Sequence, residues 1–182
     1  SVQNRSVTPM NITRDITRRY SFAPAKTRRK PSTRKTVSVI SGLMESFSPM
    51  YGVFSLPYLF ADRDEYYKVM DNPEVMTSVY QSTEAQGFIG IGWYDSGARN
   101  FYMSKAPVRS IADLKGKKIR VMQSETAIRT LKLLGASPIA MSQAEVYTSL
   151  QQGILDGAEN NEFALTIARH GEVARFYTYD MH

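Results

Sequence analysis

The chain has 182 residues, 42% of them hydrophobic and 22% charged, with no cysteine. That length suits one large or two small domains with a real core, and the lack of cysteine excludes disulfides, thiolate metal sites and a cysteine nucleophile. No run reaches the ~18 apolar residues of a membrane span, and no signal peptide is visible from Ser1 onward.

The net charge of +6 is unevenly placed. Residues 1–40 hold 10 of the 23 Lys/Arg and one of the 17 Asp/Glu, so that segment carries +9 and the remainder −3. Its Arg, Lys, Ser, Thr and Pro follow no period of 2 or 3.6, and its apolar residues are too sparse for a core, so disorder is expected. An arm of this kind suits phosphate or an acidic partner surface, but few aromatics interleave with the charges and no nucleic-acid module is recognisable.

From Ser41 the texture changes. Tyr51 to Phe60 is an apolar, aromatic run interrupted by Pro57, which predicts a short strand followed by an extended turn. Asp62–Met70 and Asn72–Gln86 read as helices. Asn72-Pro73-Glu74 supplies an N-cap, a first-turn proline and an acid near the positive helix end; Val75, Val79 and Tyr80 mark the inner face, and Gly87 stops the helix. Phe88–Tyr94 and Asn100–Ser104 read as strands, separated by a polar glycine turn. Ser110 to Asp113 resembles a capping box before one helical turn ending at Gly116. Lys118–Met122 is a predicted strand. Ser124 opens a helix with Ala127, Ile128, Leu131 and Leu134 at helical spacing, closed by Gly135. Pro138–Met141 is another strand. Ser142 to Glu145 forms a capping box leading a helix with Val146, Tyr147 and Leu150 inward and Gly153 at its end. Asp156–Asn160 ends a strand, Glu162–Arg169 is a helix and Val173–Tyr179 a last strand. Alternating elements of this kind imply an α/β fold with a mostly parallel sheet.

Ligands of such sheets collect beyond the carboxyl ends of the strands. Trp93, Arg120 and Asn160 each fall near a predicted strand end, offering an aromatic face, a forked donor and an amide; Tyr94 is a second candidate wall. Catalytic signatures are missing: there is no GxSxG and no HExxH, and Gly90-Ile91-Gly92 lacks a third glycine. His170 and His182 have no metal-ligand spacing and read as surface residues. Acid pairs such as Asp62/Asp64 and Glu159/Glu162 fit helix starts rather than an acid/base dyad. An arginine on a strand is costly without an anion. Arg120 therefore pairs either with an internal acid such as Glu159 or with a ligand carboxylate held by its planar fork. Arg99, in a polar turn, reads as solvated. The residues alone leave both readings of Arg120 open.

Four stretches carry a resemblance: FSLPYLFADRDEYYKVMD, GWYDSGARNFYMSKAPVRSIADLKGKKIRV, LGASPIAMSQAEVYTSLQQGILDGAENN and FYTYDMH. They lie in order within about the last three quarters of the chain, from about Met44 to the end. In order and spacing they resemble the extracytoplasmic solute-binding subunit of tripartite ATP-independent periplasmic (TRAP) transporters. The resemblance implies a type II periplasmic-binding-protein fold of two lobes, incomplete at both ends. It places part of the first lobe in residues 41–96, most of the second in 97–182, and an atypical head in 1–40. It implies non-catalytic binding of a C4-dicarboxylate, uronate or similar sugar acid and its delivery to membrane permease subunits. The binding protein would be an extracytoplasmic (periplasmic) monomer with no cofactor, metal or nucleic acid. Carried over by motif, Arg120 pairs with the ligand carboxylate, with Arg99, Asn160 and Gln123 around it. Gln143 stands where some sialic-acid binders have an aromatic residue, which disfavours that ligand, and Glu162 completes the candidate set. The run Glu159-Asn160-Asn161 leans toward a hydroxylated acid. Two departures are expected to matter: residues 1–40 lack the strand–helix–strand start of the family, as a shifted frame or fusion joined near residue 40 would, and the return strands and long C-terminal helices are absent. The alternative function is nucleic-acid or acidic-partner binding through residues 1–40.

Overall fold

The N-cap signals predicted from sequence set the helices. A computed structural model describes residues 35–182, and residues 35–40 form no regular element. The expectations for residues 1–34 lie outside the described residues. Helix α1 (Ser41–Met44) leads to a 3-10 segment, Pro49–Ser55. Helix α2 (Arg63–Met70) starts where the Asp62 side chain accepts from the Glu65 amide, and α3 (Pro73–Gln81) where Asn72 accepts from the Glu74 amide. Helix α4 (Glu125–Leu133) is capped by Ser124, and α5 (Gln143–Gln151) by the Ser142/Glu145 box. Gly135 and Gly153 close these last two with φ of 83° and 71°, a conformation that favours glycine. A short α6 (Phe163–Thr166) follows.

The strands are β1 (Asn100–Met103), β2 (Lys118–Val121), β3 (Ser137–Ala140), β4 (Gly157–Asn160) and β5 (Phe176–Thr178). They form one sheet in the order β3-β2-β4-β1-β5. Its pairings are parallel for β2 with β3 and β4, and antiparallel for β1 with β4 and β5. The mostly parallel sheet expected from the alternation is therefore corrected to a mixed one. Strand β1 runs against the other four, and the choice of neighbour is not contained in local periodicity.

Register sorts the side chains onto two faces. Arg120 lies level with Ala158 and Ile139, and Ala158 with Tyr102, which is level with Tyr177. The apolar members of this row pack with Val146 and Leu150 of α5, Ala164 of α6 and Leu155 of the loop before β4. The opposite face buries Phe101, Met103, Ile119 and Val121 against Leu131 and Leu114. Gly157 lets β4 approach β1: a Cβ there would sit 2.3 Å from Met103 Sδ and 2.5 Å from the Tyr102 carbonyl oxygen. A separate cluster of Tyr51, Met70, Met76 and Val79 holds the 3-10 segment, α2 and α3 together.

Several local expectations change. Residues 51–55, expected as a strand, complete the 3-10 segment, where Pro49 fits the first turn and the buried Tyr51 points into the third cluster. Phe88–Tyr94 has no ladder among the described residues, and Phe88, Ile89 and Ile91 are exposed. Alternation predicts extended backbone, but a strand needs a partner as well. The helix expected over Asn72–Gln86 breaks at Ser82 and continues as a 3-10 turn, Glu84–Gln86, that ends at Gly87. Its inner face is Met76 and Val79; Val75 is exposed. The last helix and strand shorten to Phe163–Thr166 and Phe176–Thr178, with Arg169 left-handed between them.

Candidate functional site

The carboxyl ends of β2, β3 and β4 bring Arg120, Met141 and Asn160 to one open cavity of about 390 Å³. Arg99, Gln123, Gln143, Asn160 and Asn161 supply its polar lining, and Ile40, Leu43, Met122, Phe163 and Ile167 its apolar walls. Five of the predicted residues (Arg120, Arg99, Asn160, Gln123 and Gln143) are thus brought together. Trp93, Tyr94 and Glu162 do not line this cavity. Trp93 packs edge-on against Tyr66 with ring centroids 5.4 Å apart and donates its indole N–H to Asp71 at 3.2 Å. Tyr94 is 76% exposed. Glu162 is exposed at the start of α6, beside Gly97.

Arg120 is 4% exposed. Its Nε and Nη2 both donate to the Met141 carbonyl, at 3.1 and 2.9 Å. That carbonyl fixes the guanidinium at the cavity floor, and no carboxylate among the described residues forms an ion pair with it. Burial lowers its proton affinity, while the negative charge of Glu159 opposes that effect.

Glu159 instead pairs with Arg99, whose Nε donates to its carboxylate and whose Nη2 donates to its main-chain oxygen at 2.9 Å. Arg99 also reaches Asn160 Oδ1 at 3.4 Å. Its reading as a solvated turn residue is corrected: the partner is a carboxylate only 2% exposed. Glu159 Oε1 has no hydrogen-bond partner among the described residues. The other Glu159 oxygen, Oε2, lies 3.8 Å from His182 Nε2, and the His182 ring stacks on Phe101 at 4.6 Å. Glu159 is a strand residue of the core, not a helix-start acid.

The amides are ordered by their neighbours. Asn160 accepts from Arg99 and from the Asn161 amide at 2.9 Å through Oδ1, and donates through Nδ2 to Gln143 Oε1 at 3.2 Å. Gln143 is left with its amide N–H groups as donors at the rim. Asn161 in turn donates to the Ser96 carbonyl, which ties the glycine turn to the end of β4.

His170 is buried and His182 half-buried, correcting their reading as surface residues. His170 is 1% exposed, and its Nδ1 lies 2.8 Å from the Tyr102 hydroxyl. Burial and the nearby Arg120 lower its pKa, and burial pushes the Tyr102 hydroxyl well above its ordinary range, so both favour neutral forms. No group of three or more His, Asp or Glu among the described residues is arranged to hold a metal, and no helix of the described residues is long and apolar enough to cross a membrane.

Sequence reasoning missed the Met141 carbonyl, because a main-chain oxygen carries no sequence signal. It also missed the apolar walls. Phe163 and Ile167, exposed and four residues apart on one helix face, were a readable signal.

The family model described as "bacterial extracellular solute-binding protein, family 7" matches residues 32–182. A protein of Salmonella typhimurium, YiiZ, described as uncharacterized, is 88% identical over 144 residues, which is 79% of this chain and 44% of that one. A TRAP periplasmic solute-binding protein from Anaerococcus prevotii, solved with bound α/β-D-glucuronate, superposes with a TM-score of 0.77 at 50% identity, covering 78% of this chain and 46% of that one. Another, from Sulfurospirillum deleyianum with bound succinate, gives a TM-score of 0.75 at 32% identity, covering 78% and 46%. The chain therefore spans less than half the length of these three proteins. The family match covers most of the chain: the chain belongs to the bacterial extracellular solute-binding proteins of family 7.

Proposed function

We propose that the cavity binds the carboxylate of a small sugar acid, of the uronate class, reversibly and without chemistry. The observation that carries this is Arg120: a buried guanidinium, held from behind by the Met141 carbonyl, facing an open cavity with no carboxylate paired to it among the described residues. A buried cation of that kind is stabilised most by an anion that arrives. Charge decides how many carboxylates fit. Arg99 is already paired with Glu159, so the cavity offers one uncompensated cation, which suits one carboxylate better than two. The amides of Gln123, Gln143, Asn160 and Asn161 suit hydroxyl groups. The glucuronate bound by the 50% identical Anaerococcus protein agrees with this choice; the succinate bound by the 32% identical one marks the competing class.

In this reading Arg120 fixes the carboxylate, Gln123 and Gln143 contact the ligand body, and Arg99 orients Asn160 while remaining neutralised. Residues 41–96 contribute one wall, as part of one lobe, and residues 97–182 the other. In the same reading the solute is handed to membrane permease subunits outside the cytoplasm, a role that the family match supports. The alternative through residues 1–40 gains nothing from the family match, which begins at residue 32.

A thermal-shift panel of D-glucuronate, D-galacturonate and succinate tests the proposal, since a ligand at 100 times its Kd stabilises the native state by about 2.7 kcal/mol. A rise with a uronate exceeding that with succinate is expected. No rise with any of the three, or a rise with succinate alone, would refute the uronate reading.

A further inference from the structure

One carboxylate outside the polar lining joins the two walls of the cavity. Glu45 directly follows α1, and its side chain sits on the first turn of α4, 79 to 81 residues away. Ser124 Oγ donates to Glu45 Oε2 at 2.6 Å, the Thr126 amide donates to Oε1 at 3.1 Å, and Thr126 Oγ1 donates to Oε1 as well. The acid thus occupies the positive end of a nine-residue helix. Two glycines make the seat. A Cβ on Gly52 would lie 3.0 Å from Glu45 Oε1, and one on Gly42 would lie 2.3 Å from Met122 Sδ. Ser124, at 2% exposure, is buried beneath the contact.

The flanking residues give this contact its meaning. On one side Ile40 and Leu43, within five residues of Glu45, line the cavity; on the other Met122 and Gln123, just before Ser124, line it too. The carboxylate therefore ties one cavity wall to the other, where the chain leaves α1 and where it enters α4. We propose that Glu45 is a positioning residue for solute retention: a latch whose seat on the start of α4 holds the Ile40/Leu43 wall against the Met122/Gln123 wall. It touches no ligand itself, and the proposal rests on the reading of this cavity as the carboxylate site. Loss of the latch frees the walls to part, which acts on the dissociation rate rather than on encounter.

The test is stopped-flow and calorimetric binding of D-glucuronate to the protein and to Glu45→Ala. We expect koff to rise about 10- to 100-fold with kon little changed, the size expected for hydrogen bonds to a charged group. The emptied seat keeps its three donors, so formate at tens of millimolar should return much of the lost affinity to Glu45→Ala and add nothing to the unsubstituted protein. Thr126→Val removes one donor from the same seat. It should also raise koff, and combining it with Glu45→Ala should add little further. If Glu45→Ala does not fold, Thr126→Val carries the test. Unchanged koff in the variants, or a faster koff that formate leaves untouched, would overturn the latch while glucuronate binding by the unsubstituted protein stands. Absence of glucuronate binding by the unsubstituted protein would overturn the reading of the cavity and the latch together.

Discussion

Replacing Arg120 by methionine should separate binding from folding, because the two effects differ in kind. The guanidinium is 4% exposed with no ion-pair partner among the described residues, so its desolvation weighs against the folded, ligand-free state. It regains part of that cost from two donations to the Met141 carbonyl and from attraction to Glu159. Methionine fills similar volume without charge, and water in the open cavity can take over the Met141 carbonyl. Buried charges replaced by apolar residues of like volume are often neutral or stabilising. Stability without ligand should therefore change by less than about 1 kcal/mol, or rise. Binding should suffer far more: removing one partner of a buried charged contact costs about 2–5 kcal/mol, roughly 30- to 5,000-fold in Kd. Urea unfolding without ligand and calorimetry with D-glucuronate read the two quantities separately. Unaltered affinity, or a stability loss above about 3 kcal/mol with affinity retained, would refute the reasoning and return Arg120 to a purely internal role.

Other predictions follow from neighbouring residues. His170, buried and beside Arg120, has its pKa lowered from an ordinary 6.5. The unfolded chain therefore binds this proton more readily, and stability should fall as pH drops below about 6.5, by at most ~1.4 kcal/mol per pH unit for this group. Urea midpoints from pH 7.5 to 5 check this, and a pH slope identical in His170→Phe would contradict it. Tyr102→Phe leaves His170 Nδ1 without the hydroxyl 2.8 Å away and should cost about 1–3 kcal/mol in the same assay; a cost near zero would show that the buried nitrogen needs no partner. Gly157→Ala drives a Cβ against main chain, at 2.5 Å from the Tyr102 carbonyl oxygen, and should lower stability by about 1–3 kcal/mol. A melting temperature unchanged by that substitution would mean β4 and β1 can part freely.

What the sequence disclosed was local. Asn72-Pro73, Ser110 with Asp113, Ser124, and Ser142 with Glu145 each announce a helix start within four residues, and each forms the predicted cap or box. Strand positions at 100–103, 118–121 and 137–140 were legible for the same reason. Pairing was not, because it depends on distant chain: the insertion of β1 between β4 and β5 reversed two ladders, and the alternating Phe88–Tyr94 run has no described neighbour to pair with. The burial of His170 and the partial burial of His182 likewise depend on Tyr102 and Phe101, 68 residues or more away in sequence. At the site, Arg120 stood out as a cationic fork on an apolar strand, but its anchor is a main-chain oxygen and its apolar walls come from separate segments. Trp93 was drawn toward the site by its place in an apparent strand; without that strand it serves the packing of α2 and α3.

The central claim is that one unpaired, buried guanidinium selects a single carboxylate on a hydroxylated body. Calorimetry of D-glucuronate against D-glucuronamide, which keeps every hydroxyl and removes the charge, tests it most directly. Saturable one-site binding of glucuronate and a loss of at least about 2 kcal/mol for the amide are expected. Equal affinities for the two would contradict it.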